Sequence, residues 1–348
     1  MNYTEITDKH TWNKTIKTFN HPHVLQSFEW GTIKEAYGWV PYRVLFSERE
    51  NSKPAAAASI LKKALPAGLG TMLYVPKGPV TDYTDADVVN KVFSALADIT
   101  RTTKAVSIKI DPDVSSENPH IYKALEDNGF VKSPEIQFKN TIRIPLNKTE
   151  DDILAHMKSK TRYNIRLAGR KGVKIREGSE EDFNLFYSMY KDTGMRNGFT
   201  VRPFHYYRTI WQLLFSEGMG KLFFAEVEGT PVAAAYVFLF KDQAWYFYGA
   251  SGTEYRNYMP TYLLQWHILS YAKDAGCLYY DLWGAPQVFD ESDPLYGVYR
   301  FKKGFGGDFA EQIGAYDFIR SKVRYKTINS LLPKIMGMWK RIKGEPHR

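Results

Sequence analysis

The sequence predicts an α+β protein made of two related domains, and three observations support this. A chain of 348 residues exceeds what one ordinary hydrophobic core needs and suits about two domains. Residues 53–61 and 230–238 are similar Ala-rich segments, and a charged, turn-like stretch precedes each of them. The same order of strand and helix patterns follows both copies. Internal duplication explains this order, and chance similarity of Ala-rich strands is the alternative.

Three kinds of element follow each copy of the repeat. An aromatic strand pattern comes first, then a helix pattern, then a short stretch rich in β-formers. The strands are at residues 71–75 and 244–248, the helices at 85–100 and 259–275, and the β-rich stretches at 105–110 and 277–282. A doubled order of strand, strand, helix and strand is typical of mixed α/β domains.

The junction between the two domains is predicted at residues 145–149. Thr149-Glu150-Asp151-Asp152 resembles the start of a helix, because a Thr followed three residues later by an acidic side chain can cap the first backbone N–H groups. We expect this helix to run towards Gly169 or Gly172.

Composition and local patterns argue against secreted, membrane-spanning and metal-binding classes. The N-terminus stays polar to about Asn20, so we expect no signal peptide. The longest apolar run, residues 231–240, is about half of what a bilayer span requires. Cys277 is the only cysteine; we expect it to be buried rather than catalytic, in a reducing cytoplasm. The eight histidines show no ligand spacing, so no metal is predicted. No cofactor is predicted either.

Positive charge is concentrated at the C-terminus. The net charge is +9, and residues 319–348 carry nine Lys or Arg against one acidic residue. Apolar residues, including Trp339, are interspersed with this charge beyond Pro333. Such a basic amphipathic helix can lie on an anionic membrane surface, although packing against the first domain explains the same pattern.

Four basic residues recur at intervals of four in the helix predicted after the junction. They are Lys158, Arg162, Arg166 and Arg170. This spacing places them on one stripe, which suits a row of phosphates in a nucleic-acid backbone. A solvated helix face is the alternative, but like charges at this spacing repel one another and a bound partner offsets that cost.

The glycine-rich cradle of acetyl-CoA-dependent enzymes is missing from the second domain. The turn after residues 245–249 reads Arg256-Asn257-Tyr258-Met259-Pro260, with no glycine. A pyrophosphate needs backbone N–H groups that side chains do not obstruct. The sequence therefore argues against CoA, and an acyl-CoA-dependent N-acyltransferase is kept as the alternative.

Two carboxylates follow predicted strands. Asp111 and Asp281 each stand at the end of a β-rich stretch. A carboxylate in this place can orient a nucleophilic amine or accept its proton. A turn-forming Asp is an equally good explanation of Asp111, which precedes Pro112.

Several short motifs follow one another along nearly the whole chain. They are Gln26-Ser27-Phe28-Glu29-Trp30-Gly31 with Lys34 and Gly38-Trp39, Pro76-Lys77-Gly78-Pro79, Lys109-Ile110-Asp111-Pro112, Lys160-Thr161-Arg162-Tyr163-Asn164-Ile165-Arg166, Arg202-Pro203, Asp281-Leu282-Trp283-Gly284 and Leu295-Tyr296-Gly297-Val298-Tyr299-Arg300-Phe301-Lys302-Lys303-Gly304-Phe305. In this order they resemble the Fem family of non-ribosomal peptidyl transferases. The resemblance implies two GNAT-like acyltransferase domains, residues 1–148 completed by about 310–348, and residues 149–309. No heptad run follows Thr149, so the long coiled-coil arm of some members is not expected.

The resemblance also implies a reaction and a set of partners. An amino acid would pass from aminoacyl-tRNA to the peptide stem of a peptidoglycan precursor, either lipid II or UDP-MurNAc-pentapeptide, to form interpeptide bridges. We expect a cytoplasmic monomer, with peripheral contact to the inner membrane face through the basic C-terminal helix. A non-enzymatic protein that binds RNA or membrane is the other alternative.

Binding residues for the precursor can be carried over from the family position by position. Lys34 and Arg202 would bind the diphosphate of the precursor. Tyr206 and Tyr258 would line the channel for the peptide stem. These assignments come from the resemblance alone.

Catalytic residues follow from the resemblance in the same way. Lys302, with Phe301, would hold the end of the tRNA and stabilise charge on the reacting carbonyl. Asp111 falls at the position of the family's candidate base. An ordinary Asp is a poor base for an ammonium group, so a positioning role is an equal alternative.

Overall fold

The computed structural model describes residues 1–49, 52–293 and 295–328. The chain divides into two compact units. The first comprises Met1–Gln137 together with the chain from Gln312 onwards, and the second comprises Phe138–Glu311.

The first unit contains a mixed sheet with helices packed on it. Its strands are β1 (Asn2–Glu5), β2 (Val40–Ser47), β3 (Ala56–Ala64), β4 (Thr71–Val75), β5 (Val80–Thr81), β6 (Ser107–Ile110) and β7 (Phe130–Lys132), followed after the second unit by β15 (Tyr316–Ile319). Its helices are α1 (Lys9–Ile16), α2 (Phe28–Glu35), α3 (Ala86–Thr102), α4 (Pro119–Asp127) and, near the end of the described chain, α11 (Lys322–Lys326). The strand order is β1-β2-β3-β4-β6-β15-β7, with β5 paired to β3. Strands β4 and β6 are parallel, and the other pairs are antiparallel.

The second unit has a sheet of the same design. Its strands are β8 (Asn140–Pro145), β9 (Lys174–Glu177), β10 (Gly220–Val227), β11 (Thr230–Phe240), β12 (Gln243–Ser251), β13 (Tyr279–Asp281) and β14 (Asp308–Glu311). Its helices are α5 (Glu150–His156), α6 (Ser159–Arg170), α7 (Phe183–Asn197), α8 (Phe204–Ser216), α9 (Pro260–Asp274) and α10 (Tyr296–Lys302). The order is β9-β10-β11-β12-β13-β8-β14, in which β12 and β13 form the parallel pair.

The two sheets have the same topology, and each contains one strand that follows a strand of the other sheet in sequence. Strand β8 follows β7 in sequence, yet it pairs between β13 and β14 of the second sheet. Strand β15 follows β14, yet it pairs between β6 and β7 of the first. The second unit therefore begins before β8, N-terminal to the junction expected at residues 145–149. The common topology confirms the predicted fold class of two related mixed α/β domains.

Each face of the second sheet carries its own layer of helices. Side chains of a strand alternate between faces, and in β11 Ala235 and Val237 join the core formed with α6 and α9. Tyr236 points to the other face and stacks on Trp211 of α8, with ring centroids 5.8 Å apart. The α6–α9 layer and the α7–α8 layer are therefore on opposite sides of the sheet.

The helix predicted to run from Thr149 towards Gly169 is broken into α5 and α6. Met157 and Lys158 adopt extended backbone angles between the two helices. The Arg162 guanidinium donates to the carbonyl oxygens of Ala155 (3.1 Å) and Met157, so it caps the end of α5. With seven and twelve residues, these helices leave no long arm after the junction.

The environment of the cysteine and the length of the helices were also predicted from the sequence. Cys277 is buried, and burial raises the pKa of its thiol to about 11, which disfavours a thiolate nucleophile. Within the described ranges, none of the helices has the length and apolar character needed to cross a membrane.

Candidate active site

Lys302 is a buried lysine at the end of α10 in the second unit. Only 5% of its surface is exposed. Its ammonium group donates to the carbonyl oxygens of Trp283 and of Gly284, the latter at 2.8 Å. These two bonds fix the position of the ammonium nitrogen at the turn that follows β13.

Asp281 organises this turn from the end of β13. Its carboxylate accepts hydrogen bonds from Thr141 Oγ1 at 2.5 Å, from Arg143 Nε at 3.0 Å and from the Trp283 backbone N–H at 2.8 Å. Trp283 and Gly284 both have positive φ, 50° and 72°. The bond from Trp283 N therefore holds a tight turn whose carbonyl oxygens bind Lys302.

Burial changes the protonation of Lys302. Desolvation lowers the pKa of its ammonium group to about 7, and the Asp281 carboxylate opposes this shift. Near pH 7 the group can exist in both forms, and a developing negative charge beside it would favour the charged one. A lysine of this kind can stabilise an oxyanion or exchange a proton with substrate.

Phe301 and the residues after Lys302 connect this site to α6, the helix that carries Arg162, Arg166 and Arg170. The Phe301 ring packs against Tyr262 at 5.0 Å and Phe305 at 5.2 Å. The backbone N–H of Lys158 donates to the Gly304 carbonyl at 2.9 Å. The loop carrying Lys302 and the start of α6 thus form one packed structure.

The four basic residues predicted to lie on one stripe of a helix do not share one exposed helix face in the structure. Lys158 is exposed, but it precedes the first turn of α6 as its N-cap. Arg162 is half-buried because it caps α5. Arg166 and Arg170 are exposed on the outer face of α6, where Arg170 lies 5.8 Å from the ring of Tyr163, itself 55% exposed.

Asp111 is buried at the end of β6 in the first unit. Its two oxygens accept hydrogen bonds from the Tyr74 hydroxyl at 2.7 Å and from the Lys77 backbone N–H at 2.5 Å. Desolvation raises the pKa of Asp111 to about 6, although the Lys77 charge and the Tyr74 hydrogen bond oppose the shift. With both oxygens bonded to the protein, the carboxylate holds the backbone of Lys77 in place.

Buried Lys77 was not singled out as a site residue by the sequence. It is 4% exposed, its backbone φ is +50°, and its ammonium group donates to Gln312, which is bonded to Asp113. The Pro76-Lys77-Gly78-Pro79 motif was the available signal, but the partner Gln312 lies far away in sequence.

The first motif of the chain has largely structural contacts. Gln26 bonds to the Pro76 carbonyl at 2.6 Å and to the Ser59 N–H at 2.7 Å. Gly31 has no room for a Cβ, which would stand 2.4 Å from the Arg43 guanidinium. Lys34, on α2, is half-buried, with its ammonium nitrogen 4.5 Å from the centre of the Trp30 ring.

Arg202 and Tyr206 lie together at the start of α8, whereas Tyr258 lies in the other layer. The Arg202 guanidinium is exposed and stands 4.6 Å over the Tyr206 ring. Tyr206 packs on Tyr207 at 5.5 Å, within the α7–α8 layer. Tyr258 packs on Tyr255 at 5.1 Å, beside the core of the α6–α9 layer. The structure thus joins Arg202 to Tyr206 and separates Tyr206 from Tyr258.

Comparison with known proteins identifies the family. The FemAB family matches residues 7–229 and 219–332. The chain belongs to the FemAB family. The relation inferred from the ordered motifs is therefore confirmed.

Curated relatives of this FemAB chain share a quarter of its sequence over nearly its full length. Lipid II:glycine glycyltransferase of Staphylococcus epidermidis is 24% identical over 92% of this chain and 93% of its own length. The protein of the same name from Staphylococcus saprophyticus is 24% identical, with 96% of this chain and 97% of its own length covered.

Solved structures show that the fold is shared. FemX superposes with a TM-score of 0.86 at 23% identity, covering 94% of this chain and 100% of FemX. A tandem GNAT protein from the clavulanic acid biosynthesis pathway superposes with a TM-score of 0.55 at 10% identity, covering 91% and 98% of the two chains. The FemAB chain therefore consists of two GNAT-like domains.

Proposed function

We propose that this FemAB protein is an aminoacyltransferase that moves an amino acid from aminoacyl-tRNA to the peptide stem of a peptidoglycan precursor. The relatives named Lipid II:glycine glycyltransferase support this reaction class and favour lipid II as the acceptor over UDP-MurNAc-pentapeptide. The observation that carries the proposal is Lys302, a buried ammonium group fixed by two carbonyl oxygens. Such a group suits a reaction in which negative charge develops on a carbonyl oxygen.

The reaction requires little covalent help from the protein. The acceptor amine attacks the carbonyl carbon of the aminoacyl ester, a C–N bond forms, and the ester C–O bond breaks. The proton lost by the amine ends on the departing ribose hydroxyl, directly or through a relay. Alignment of the two substrates and stabilisation of the oxyanion are therefore the main tasks of the enzyme.

Lys302 has the role of oxyanion stabiliser in this proposal. Its ammonium group is buried and bonded to two carbonyl oxygens. Loss of one comparable donor in other enzymes costs about 3 kcal/mol of transition-state stabilisation. Phe301, packed between Tyr262 and Phe305, supports the tRNA end. Arg166 and Arg170 bind phosphates of the same tRNA from the exposed face of α6.

Precursor binding is assigned to four residues. Lys34 and Arg202 bind the diphosphate, since charged hydrogen bonds to phosphate are strong. Tyr206 and Tyr258 contact the peptide stem. The exposed guanidinium of Arg202 beside Tyr206 supports this division of roles.

Asp111 is proposed to act as a positioning group rather than as the base. A general base must have an oxygen within hydrogen-bond reach of the proton that it removes. Asp111 is 2% exposed, and its oxygens face Tyr74 and Lys77 rather than an open surface that a substrate amine could reach. Its contribution is then to fix Lys77 and the motif around it.

Cytoplasmic location and peripheral membrane contact complete the proposal. The basic helical pattern of residues 334–348 lies outside the described residues, so membrane contact remains a prediction from sequence. A lipid-linked acceptor would place the enzyme at an anionic leaflet, where each Lys or Arg contributes about 1 kcal/mol of binding.

A transfer assay tests the function. The purified protein is incubated with a mixture of charged tRNAs and, separately, with lipid II or UDP-MurNAc-pentapeptide; a parallel reaction replaces tRNA with acetyl-CoA. We expect tRNA-dependent extension of lipid II, by an amino acid that the mixture identifies. Extension supported by acetyl-CoA alone, or none from any charged tRNA, would contradict the proposal.

A further inference from the structure

Asp281 and Arg143 form an ion pair behind the candidate catalytic lysine. Arg143 is on β8, and its Nε donates to Asp281 at the end of β13 at 3.0 Å. Asp281 is 2% exposed, and Thr141 Oγ1 binds its other oxygen. A buried carboxylate costs free energy unless it is paired and hydrogen-bonded, and here every partner also orients it.

The geometry connects this pair to Lys302 in two ways. Asp281 accepts from the backbone N–H of Trp283, which fixes the turn whose carbonyl oxygens bind the Lys302 ammonium group. Its negative charge also acts on that group through the protein interior, where a charge is weakly screened. We infer that Asp281, held by Arg143, is a positioning residue that fixes the Lys302 turn and favours the charged form of the Lys302 side chain.

Other charged or titratable groups near Lys302 do not provide the same charge. Tyr246 on β12 faces it, with its ring centre 5.9 Å from the ammonium nitrogen, and burial raises the pKa of this phenol to about 12, so it stays neutral. On the lysine's own segment, Arg300 and Lys303 are basic residues, so neither can supply a negative charge. The Asp281 carboxylate is the group that raises the pKa of Lys302 against the effect of burial.

Arg143 and Asp281 should then act on Lys302 with opposite signs. Removing the carboxylate removes a stabilising charge, so Asp281→Asn lowers the Lys302 pKa. Removing the guanidinium leaves the carboxylate uncompensated, so Arg143→Gln raises it. A role confined to folding predicts no such pair of opposite shifts.

This inference rests on the proposed function for its catalytic meaning, so its test includes a readout that needs no substrate. Lysines are labelled with ¹³C at Cε in the whole protein, and the Lys302 signal is assigned by its loss in Lys302→Met. We expect a midpoint near 7 in the wild type, lower by about one pH unit in Asp281→Asn and higher in Arg143→Gln. Asp274→Asn, an exposed carboxylate at the end of α9, is the matched control and should leave the midpoint unchanged.

The transfer reaction supplies the second readout. At pH 7.5 a midpoint one unit lower reduces the protonated fraction by about eightfold, so kcat of Asp281→Asn should fall by a similar factor and recover towards pH 6. Thermal unfolding identifies variants that fail to fold. If Asp281→Asn does not fold, the Lys302 midpoint in Arg143→Gln still tests the inference. Equal Lys302 midpoints in wild type, Asp281→Asn and Arg143→Gln would overturn the inference. Shifted midpoints in a protein without transfer activity would count against the proposed function, not against the charge relation.

Discussion

Lys158 and Gly304 are joined by a backbone hydrogen bond of 2.9 Å, which fixes the start of the basic helix against the loop that follows Lys302. The approach is close, because a Cβ built on Gly304 would stand 2.5 Å from Thr161 Oγ1. Thr161 is itself buried. The proposed tRNA-binding helix and the proposed catalytic loop are therefore packed so tightly that one methyl group should disturb both.

Gly304→Ala should lower both stability and transfer rate. Insertion of a methyl group into a well-packed site costs about 1–3 kcal/mol of unfolding free energy. Thr161→Ala removes the oxygen that the new methyl group meets, so the double variant should recover part of the loss. Urea unfolding and transfer rates of the four proteins form a double-mutant cycle. A double variant as impaired as the sum of the single changes would refute the packing argument.

The exposed arginines of α6 lead to a prediction about tRNA affinity. Arg166→Glu and Arg170→Glu should each weaken tRNA binding without preventing folding, because both side chains are exposed. Arg170→Glu should also lower the free energy of unfolding by about 0.3–1 kcal/mol, since Arg170 is in the last turn of α6. Each lost phosphate contact should reduce the slope of log affinity against log salt by about 0.7–0.9. Fluorescence titrations at several salt concentrations measure this slope.

Two control variants separate binding from folding and from net charge. Lys123→Glu makes the same charge change on α4, at a side chain 80% exposed, and should leave tRNA affinity nearly unchanged. Arg162→Glu should instead lower the free energy of unfolding, since Arg162 caps α5. Equal weakening by Lys123→Glu would mean that only overall charge matters.

Local patterns were enough to predict some elements closely. Strand β4 has the predicted bounds, and α3 begins one residue after Asp85, whose side chain caps it. Helix α9 begins at Pro260, next to the predicted start. Each of these elements is bounded by a cap or a proline, and such signals act within a few residues.

Other features depend on partners that are distant in sequence. The helix after Thr149 is interrupted at Met157 and Lys158, where the Lys158 N–H donates to the Gly304 carbonyl oxygen. The spacing of charged residues does not predict a contact with a residue so distant in sequence. The pairing of β8 with the second sheet and of β15 with the first is also not predictable in this way. The hydrophobic pattern of a segment predicts a strand, but it does not predict which strands that segment pairs with. Asp281 was noted at a strand end, but its pairing with Arg143 spans most of the second unit.

Lys302 should make stability depend on pH in a specific window. Burial lowers its pKa to about 7 in the folded protein, against 10.5 for an ordinary lysine. Below pH 7 folded and unfolded chains both carry the proton, so this group adds no pH dependence there. Above pH 7 the unfolded chain binds more protons, and stability should rise with pH by up to about 1.4 kcal/mol per unit.

Comparison with Lys302→Met isolates this effect. Urea unfolding of both proteins at intervals from pH 6 to 9 gives the difference in unfolding free energy. The wild type should gain relative to the variant above pH 7 and show a constant difference below it. A difference that stays flat across the whole range would mean that Lys302 has an ordinary pKa.

Lys34 and Arg202 should be required for precursor binding rather than for chemistry. A charged hydrogen bond contributes about 1.5–3 kcal/mol, so Lys34→Ala and Arg202→Ala should each raise KM for the precursor by roughly 10- to 100-fold. Steady-state kinetics with lipid II measure this, and a stem peptide without the diphosphate is the control acceptor. If the variants lose as much affinity for that peptide, the two cations do not bind phosphate.

Asp111→Asn should give only a partial loss of activity. The amide is isosteric with the carboxyl group, so its oxygen can still accept from Lys77 N–H while its nitrogen faces the Tyr74 hydroxyl. A positioning role predicts a kcat within about tenfold of wild type, whereas a true base should lower kcat by about 10²–10⁴-fold when it is removed.

The pH dependence of the stability of Asp111→Asn gives a second check. The folded-state pKa of about 6 exceeds the ordinary 3.8, so the folded protein binds more protons between these values and wild-type stability falls as pH rises from 4 to 6. Asp111→Asn should lack this fall, and above pH 6 its advantage should be constant. A variant as inactive as Lys302→Met, with unchanged stability, would instead identify Asp111 as the base.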